Sequence, residues 1–108
     1  MRKLLKMNSN NKYAANGVFI TPALPASGEK VKLVYDGLLA KCGATEVYAH
    51  VGFGNNWENT NDYKMNKTSN GFEATIPIHT SKPLNICFRD SAYNWDNNSG
   101  RNYSFNTI

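Results

Sequence analysis

From Gly17 to Thr107 short β-rich segments alternate with clusters of turn residues, and within the segments apolar and polar side chains alternate with a period of two. In Glu46-Val47-Tyr48-Ala49-His50-Val51 the small apolar residues Val47, Ala49 and Val51 share one face, so Tyr48 and His50 share the other. Phe72, Ala74, Ile76 and Ile78 line the core side of a later segment, as do Leu84, Ile86 and Phe88 in the next. Asn85, Cys87 and Arg89 then point outward. The pattern predicts strands over 17–21, 30–36, 46–51, 62–68, 71–78, 84–90 and 102–107.

The turn chemistry agrees with that division. Ser69-Asn70-Gly71 carries the Asn-Gly signal of a tight hairpin. Pro22 and Pro25 break the chain after the first strand, and Pro83 precedes the sixth, where a missing donor does least harm. No segment has a helical repeat, and 37–41 is at most a short turn. About seven such strands predict an all-β fold, an antiparallel β-sandwich of two sheets. Residues 1–16 are polar, rich in Asn and Lys and without periodicity, which predicts a flexible N-terminal arm ahead of a sandwich domain over 17–108.

Length and composition narrow the picture. A chain of 108 residues is large enough for one core and leaves no room for a second domain. Charged residues are only 19%, and amides fill the gap. The net charge of +4 is scattered, except in Met1-Arg2-Lys3-Leu4-Leu5-Lys6-Met7. Nucleic-acid binding on exposed aromatics needs a basic groove beside them. No such groove is written here, so no nucleic-acid partner is expected. No apolar run is long enough for a signal peptide or a membrane span, so no membrane partner is expected either. Cys42 and Cys87 lie in no metal-binding spacing and are expected to be free thiols.

Both tryptophans sit where burial is difficult. Trp57 lies in Gly52-Phe53-Gly54-Asn55-Asn56-Trp57-Glu58-Asn59, and Trp95 opens Trp95-Asp96-Asn97-Asn98-Ser99-Gly100-Arg101-Asn102-Tyr103. An indole ringed by amide donors and acceptors suits a pyranose, which is apolar on its faces and hydroxylated round its edge. Two such plates and a few hydrogen bonds, set against the cost of association, predict a weak site, roughly micromolar to millimolar. Each Trp could equally be a half-buried lid over the end of the sandwich. His50 could be an ordinary surface histidine, and Asn97 and Asn98 ordinary turn formers. Their coincidence favours a site.

Catalysis and cofactor binding find no support. The eight acidic residues are dispersed without an acid/base pair, His50 and His79 form no metal motif, and neither cysteine has a nucleophile signature. No cofactor is expected. A different class of function, an Ig-like protein-interaction domain anchored by its aromatic loops, fits the same exposed rings.

Several stretches resemble the starch-binding carbohydrate-binding modules of family 25 and the related modules of plant starch synthases. They are Val47-Tyr48-Ala49-His50-Val51-Gly52-Phe53-Gly54, Trp57, Gly71-Phe72-Glu73-Ala74-Thr75-Ile76-Pro77, Leu84-Asn85-Ile86-Cys87-Phe88-Arg89-Asp90, Asn94-Trp95-Asp96-Asn97-Asn98 and Asn102-Tyr103. The resemblance implies an immunoglobulin-like sandwich that binds α-1,4-linked glucose polymers such as starch, glycogen and maltooligosaccharides without turning them over. It implies a platform of His50, Trp57 and Trp95, with Asn97 and Asn98 completing hydrogen bonds. Asp96 then either accepts a bond from the sugar or holds the turn. Such modules are usually parts of large secreted amylases. The expected setting is extracellular if this is a module cut from such an enzyme, and cytoplasmic, on a glycogen-like polymer, if the chain is complete.

Overall fold

The computed structural model describes residues 11–108. These fold into two antiparallel sheets with almost no helix, the all-β sandwich that the alternation predicts. The strands are β1 (Val18–Thr21), β2 (Lys30–Tyr35), β3 (Val47–Phe53), β4 (Glu58–Lys64), β5 (Asn66–Thr68), β6 (Gly71–Pro77), β7 (Leu84–Asp90), β8 (Trp95–Asp96) and β9 (Tyr103–Phe105). One sheet has the order β1-β2-β6-β5, the other β4-β3-β7-β8. In the second sheet β9 also pairs with β7, against Leu84 to Ile86, while β8 pairs with Phe88 and Arg89. The free edge of β7 is thus shared by two short strands, and the 97–102 turn connects them.

The core consists of the inward positions of both sheets. Val47, Ala49, Val51, Phe72, Ile76, Ile78, Leu84, Ile86 and Phe88 are all buried. Burying side chains of this size on one face is the main force holding the sheets together, at about 1.5–3 kcal/mol for each large apolar side chain. The Ser69–Asn70 turn closes a hairpin in which Thr68 pairs with Gly71. Gly71 has φ +115, and a Cβ there would lie 2.5 Å from the Tyr35 carbonyl oxygen, so only glycine fits.

Two strand expectations are corrected. The strand expected over 62–68 is two strands in different sheets, because the chain crosses between them at Met65. Met65 is buried, and its N–H donates to the Val47 carbonyl at 2.9 Å. Trp95–Asp96 adds a strand where the sequence indicates only a turn, and with the split this gives nine strands among the described residues. Residues 11–16 of the expected arm pack on the domain, while 1–10 lie outside the described residues. Tyr13 sets its ring edge-on to Tyr103 at 5.1 Å and to Phe105 at 5.4 Å. The Asn11 side chain closes both backbone hydrogen bonds of Ile20, at 2.9 and 3.0 Å. One tyrosine and one asparagine hold this segment, and neither leaves a periodic trace in the sequence.

Candidate functional site

The outer face of the β4-β3-β7-β8 sheet carries the candidate residues. Alternation along β3 sends Tyr48 and His50 outward. Cross-strand pairing places His50 beside Asp62 of β4 and Cys87 of β7, and Arg89 beside Trp95. His50 stacks near-parallel on Trp57, with ring centroids 5.5 Å apart and planes at 20°. Trp95 meets the same imidazole edge-to-face, at 6.1 Å and 85°. Two tryptophans 38 residues apart therefore converge on one histidine, which spacing alone does not reveal.

Each ring is positioned by local backbone geometry. The strand register shifts between Val51 and Phe53, and the connection to β4 runs through Gly54 to Trp57. Trp57 has φ 51, in the left-handed region that a bulky residue rarely adopts. That turn folds the indole back over Gly52, where a Cβ would come within 2.6 Å of Trp57 Cε3. A glycine inside a strand marks such a close approach. Trp95 is held differently. Its strand neighbour Asp96 points inward and is buried, while Trp95 remains 45% exposed.

Asp96 is buried, and its side chain is engaged within the scaffold. Its carboxylate accepts from the Tyr35 hydroxyl at 2.6 Å and the Tyr103 hydroxyl at 2.8 Å. The Asn98 backbone N–H also lies 3.4 Å from it. Burial, then the hydrogen bond to Asp96, holds the Tyr35 and Tyr103 hydroxyls well above the usual phenol range. These contacts tie Asp96 to the turn that carries Trp95.

Asn97 and Asn98 also build that turn, but each keeps an amide atom to offer. The Asn97 Oδ1 accepts from the Gly100 N–H at 3.0 Å, and the Asn98 Nδ2 donates to the Asn102 carbonyl at 3.0 Å. This leaves the Asn97 Nδ2 as a donor and the Asn98 Oδ1 as an acceptor. Both residues line an open hollow with Trp95, and His50 and Trp57 are not part of its lining. The six sequence candidates therefore separate into a platform of His50, Trp57 and Trp95, an amide pair beyond Trp95, and a buried support.

Asp62 joins this cluster, although no sequence motif marks it. Its Oδ1 lies 2.5 Å from His50 Nδ1, and its Oδ2 lies 3.7 Å from the Arg89 guanidinium. A carboxylate at Nδ1 favours the tautomer with its proton there, which leaves Nε2 as the acceptor. Arg89 is itself held over Tyr48 at 4.2 Å and Tyr93 at 4.6 Å. The pairing of residue 62 with residue 50 is a property of the sheet register, so no local signal announces it. Cys87, cross-strand from His50 on the outward side, is nonetheless buried. Burial, with the Asp62 and Asp96 charges adding to it, pushes its thiol up to about 11.

Among the described residues no cluster of His, Cys, Asp and Glu could hold a metal ion, and no helix is long and apolar enough to cross a membrane.

The model of the starch/carbohydrate-binding module, family 53, matches residues 31–86, which include His50, Trp57 and Asp62. The chain belongs to that family. The resemblance to family 25 thus holds at the level of a starch-binding module, and the family whose model matches is 53. The module is 42% identical over 83 residues to an alpha-amylase of Clostridium acetobutylicum, covering 75% of this chain and 10% of that protein. The chain therefore spans about a tenth of the length of this relative. Among solved structures it is similar to a cycloalternan-degrading enzyme from Trueperella pyogenes, with a TM-score of 0.48 and 15% identity over 71% of this chain and 10% of that one.

Proposed function

We propose that this module binds α-1,4-glucans such as starch, glycogen and maltooligosaccharides without catalysing their cleavage, as one part of a larger amylolytic enzyme. The observation that carries this reading is the convergence of His50, Trp57 and Trp95 on one exposed sheet face. Indole faces stack on the apolar faces of neighbouring glucose units, and the His50 Nε2 accepts from a hydroxyl at the ring edge. Asn97 and Asn98 supply further hydrogen bonds on the far side of Trp95. The acidic side chains near the platform are already engaged, Asp62 by His50 and Glu58 by Lys82 at 2.9 Å. Neither is placed as an unpaired general acid, which supports binding without turnover.

Co-sedimentation with insoluble starch, followed by calorimetric titration with maltoheptaose, tests the proposal. Trp57→Ala and Trp95→Ala should each weaken binding by about tenfold or more, the loss of ~1.4 kcal/mol, with the fold retained. Unchanged affinity in both variants would overturn the platform.

A further inference from the structure

Beyond Trp95 the surface falls into a hollow of about 500 Å³, lined by Trp95, Asn97, Asn98, Leu38, Lys41 and Asn16 among others. Trp95 is thus shared: its ring meets His50 of the platform, and it also lines this hollow. Leu38 opens the one-turn helix Leu38–Lys41 and is 58% exposed, whereas the next residue, Leu39, is buried in the core. The fold has a use for Leu39 and none evident for an exposed Leu38.

The chemistry of the hollow matches that of the platform. Trp95 and Leu38 give apolar surface, while Asn97 Nδ2 and Asn98 Oδ1 give one donor and one acceptor not used by the turn. Lys41 adds an ammonium that is only loosely paired, 3.9 Å from Asp36 Oδ2. Apolar walls with a few placed polar groups, in a volume of this order, are what a small-ligand subsite requires. An anionic ligand would want more than one loosely paired cation, and a protein anchor would not call for the matched donor and acceptor.

We infer that this hollow is an accessory subsite that takes further glucose residues of the same glucan chain already lying on the platform. The inference rests on the glucan reading above and adds direction to it: the chain runs from Trp57 across Trp95 and on toward Leu38. Binding should then strengthen with oligosaccharide length after the platform is filled, and Leu38 should feel only the longer sugars.

The test compares maltotriose with maltoheptaose on the wild-type domain and on Leu38→Asp, by calorimetry and by methyl NMR of Leu38. The expected result is that Leu38→Asp binds maltotriose as the wild type does but loses about fivefold in maltoheptaose affinity, a contribution of subsite size. In the wild type the Leu38 methyl signals should shift with maltoheptaose and not with maltotriose. Equal maltoheptaose affinity in the two proteins, with Leu38 signals unmoved, would overturn the subsite and leave the platform standing. A wild type that binds neither sugar would overturn both.

Discussion

In the proposed site, His50 depends on Asp62. An imidazole free to rotate and exchange tautomers presents a given nitrogen to a ligand only part of the time. The 2.5 Å contact to Asp62 fixes the ring, and stacking on Trp57 fixes its plane. Asp62→Ala should therefore weaken maltoheptaose binding by about fivefold, the scale of one hydrogen bond, while thermal stability changes little. Nitrogen NMR shifts of His50 should move from a single tautomer toward a mixture. Wild-type affinity in the variant would show that the carboxylate has no positioning role. His50 facing outward was legible from alternation in β3 alone. Asp62 was not, because nothing in the sequence states which residue of β4 faces it.

At the scale of elements, the hairpin between β3 and β4 and the β8 turn are the two devices that lift tryptophans onto the sheet. The first depends on Gly52, whose missing side chain leaves the space that Trp57 occupies. Gly52 has no positive φ, but an added methyl would lie 2.6 Å from Trp57 Cε3 and 3.0 Å from its Cα, so the indole and the loop backbone must both shift. Gly52→Ala should reduce glucan affinity about as much as Trp57→Ala, roughly tenfold; binding at the wild-type level would contradict this reading of the loop. Core strands were readable because their apolar residues alternate, as Phe72, Ile76 and Ile78 do. The crossing at Met65 was not readable, since Asn66 to Thr68 continue the same polar pattern in a different sheet. Strand β8 was hidden for a related reason: a two-residue element held by a buried aspartate has no periodicity to detect. Likewise Tyr13 anchors residues 11–16 through tertiary contacts alone.

For the whole molecule, Asp96 is the point where site and stability meet. It joins Tyr35 of β2, Tyr103 of β9 and the turn carrying Trp95. The folded protein keeps the Tyr35 and Tyr103 hydroxyls protonated above their ordinary pKa of 10.0, and raises the Cys87 thiol from 9.0 to about 11. Raised values mean that the folded state holds its protons more tightly than the unfolded chain. That contribution is complete below pH 9, begins to fade as the unfolded thiol ionises, and is lost more steeply above pH 10 as the unfolded tyrosines follow. Melting temperature should be level from pH 7 to about 9 and decline beyond. A constant value to pH 11 would contradict the buried network.

We propose that the exposed aromatic face reads α-linked glucose. The most direct test is a titration of the domain with maltoheptaose, following intrinsic tryptophan fluorescence, with cellohexaose as the β-linked control. A saturable change with the α-linked sugar alone, in the micromolar to millimolar range expected of a shallow two-plate site, is the predicted result. No response to maltoheptaose, together with failure to co-sediment with starch, would show instead that Trp57 and Trp95 are structural lids.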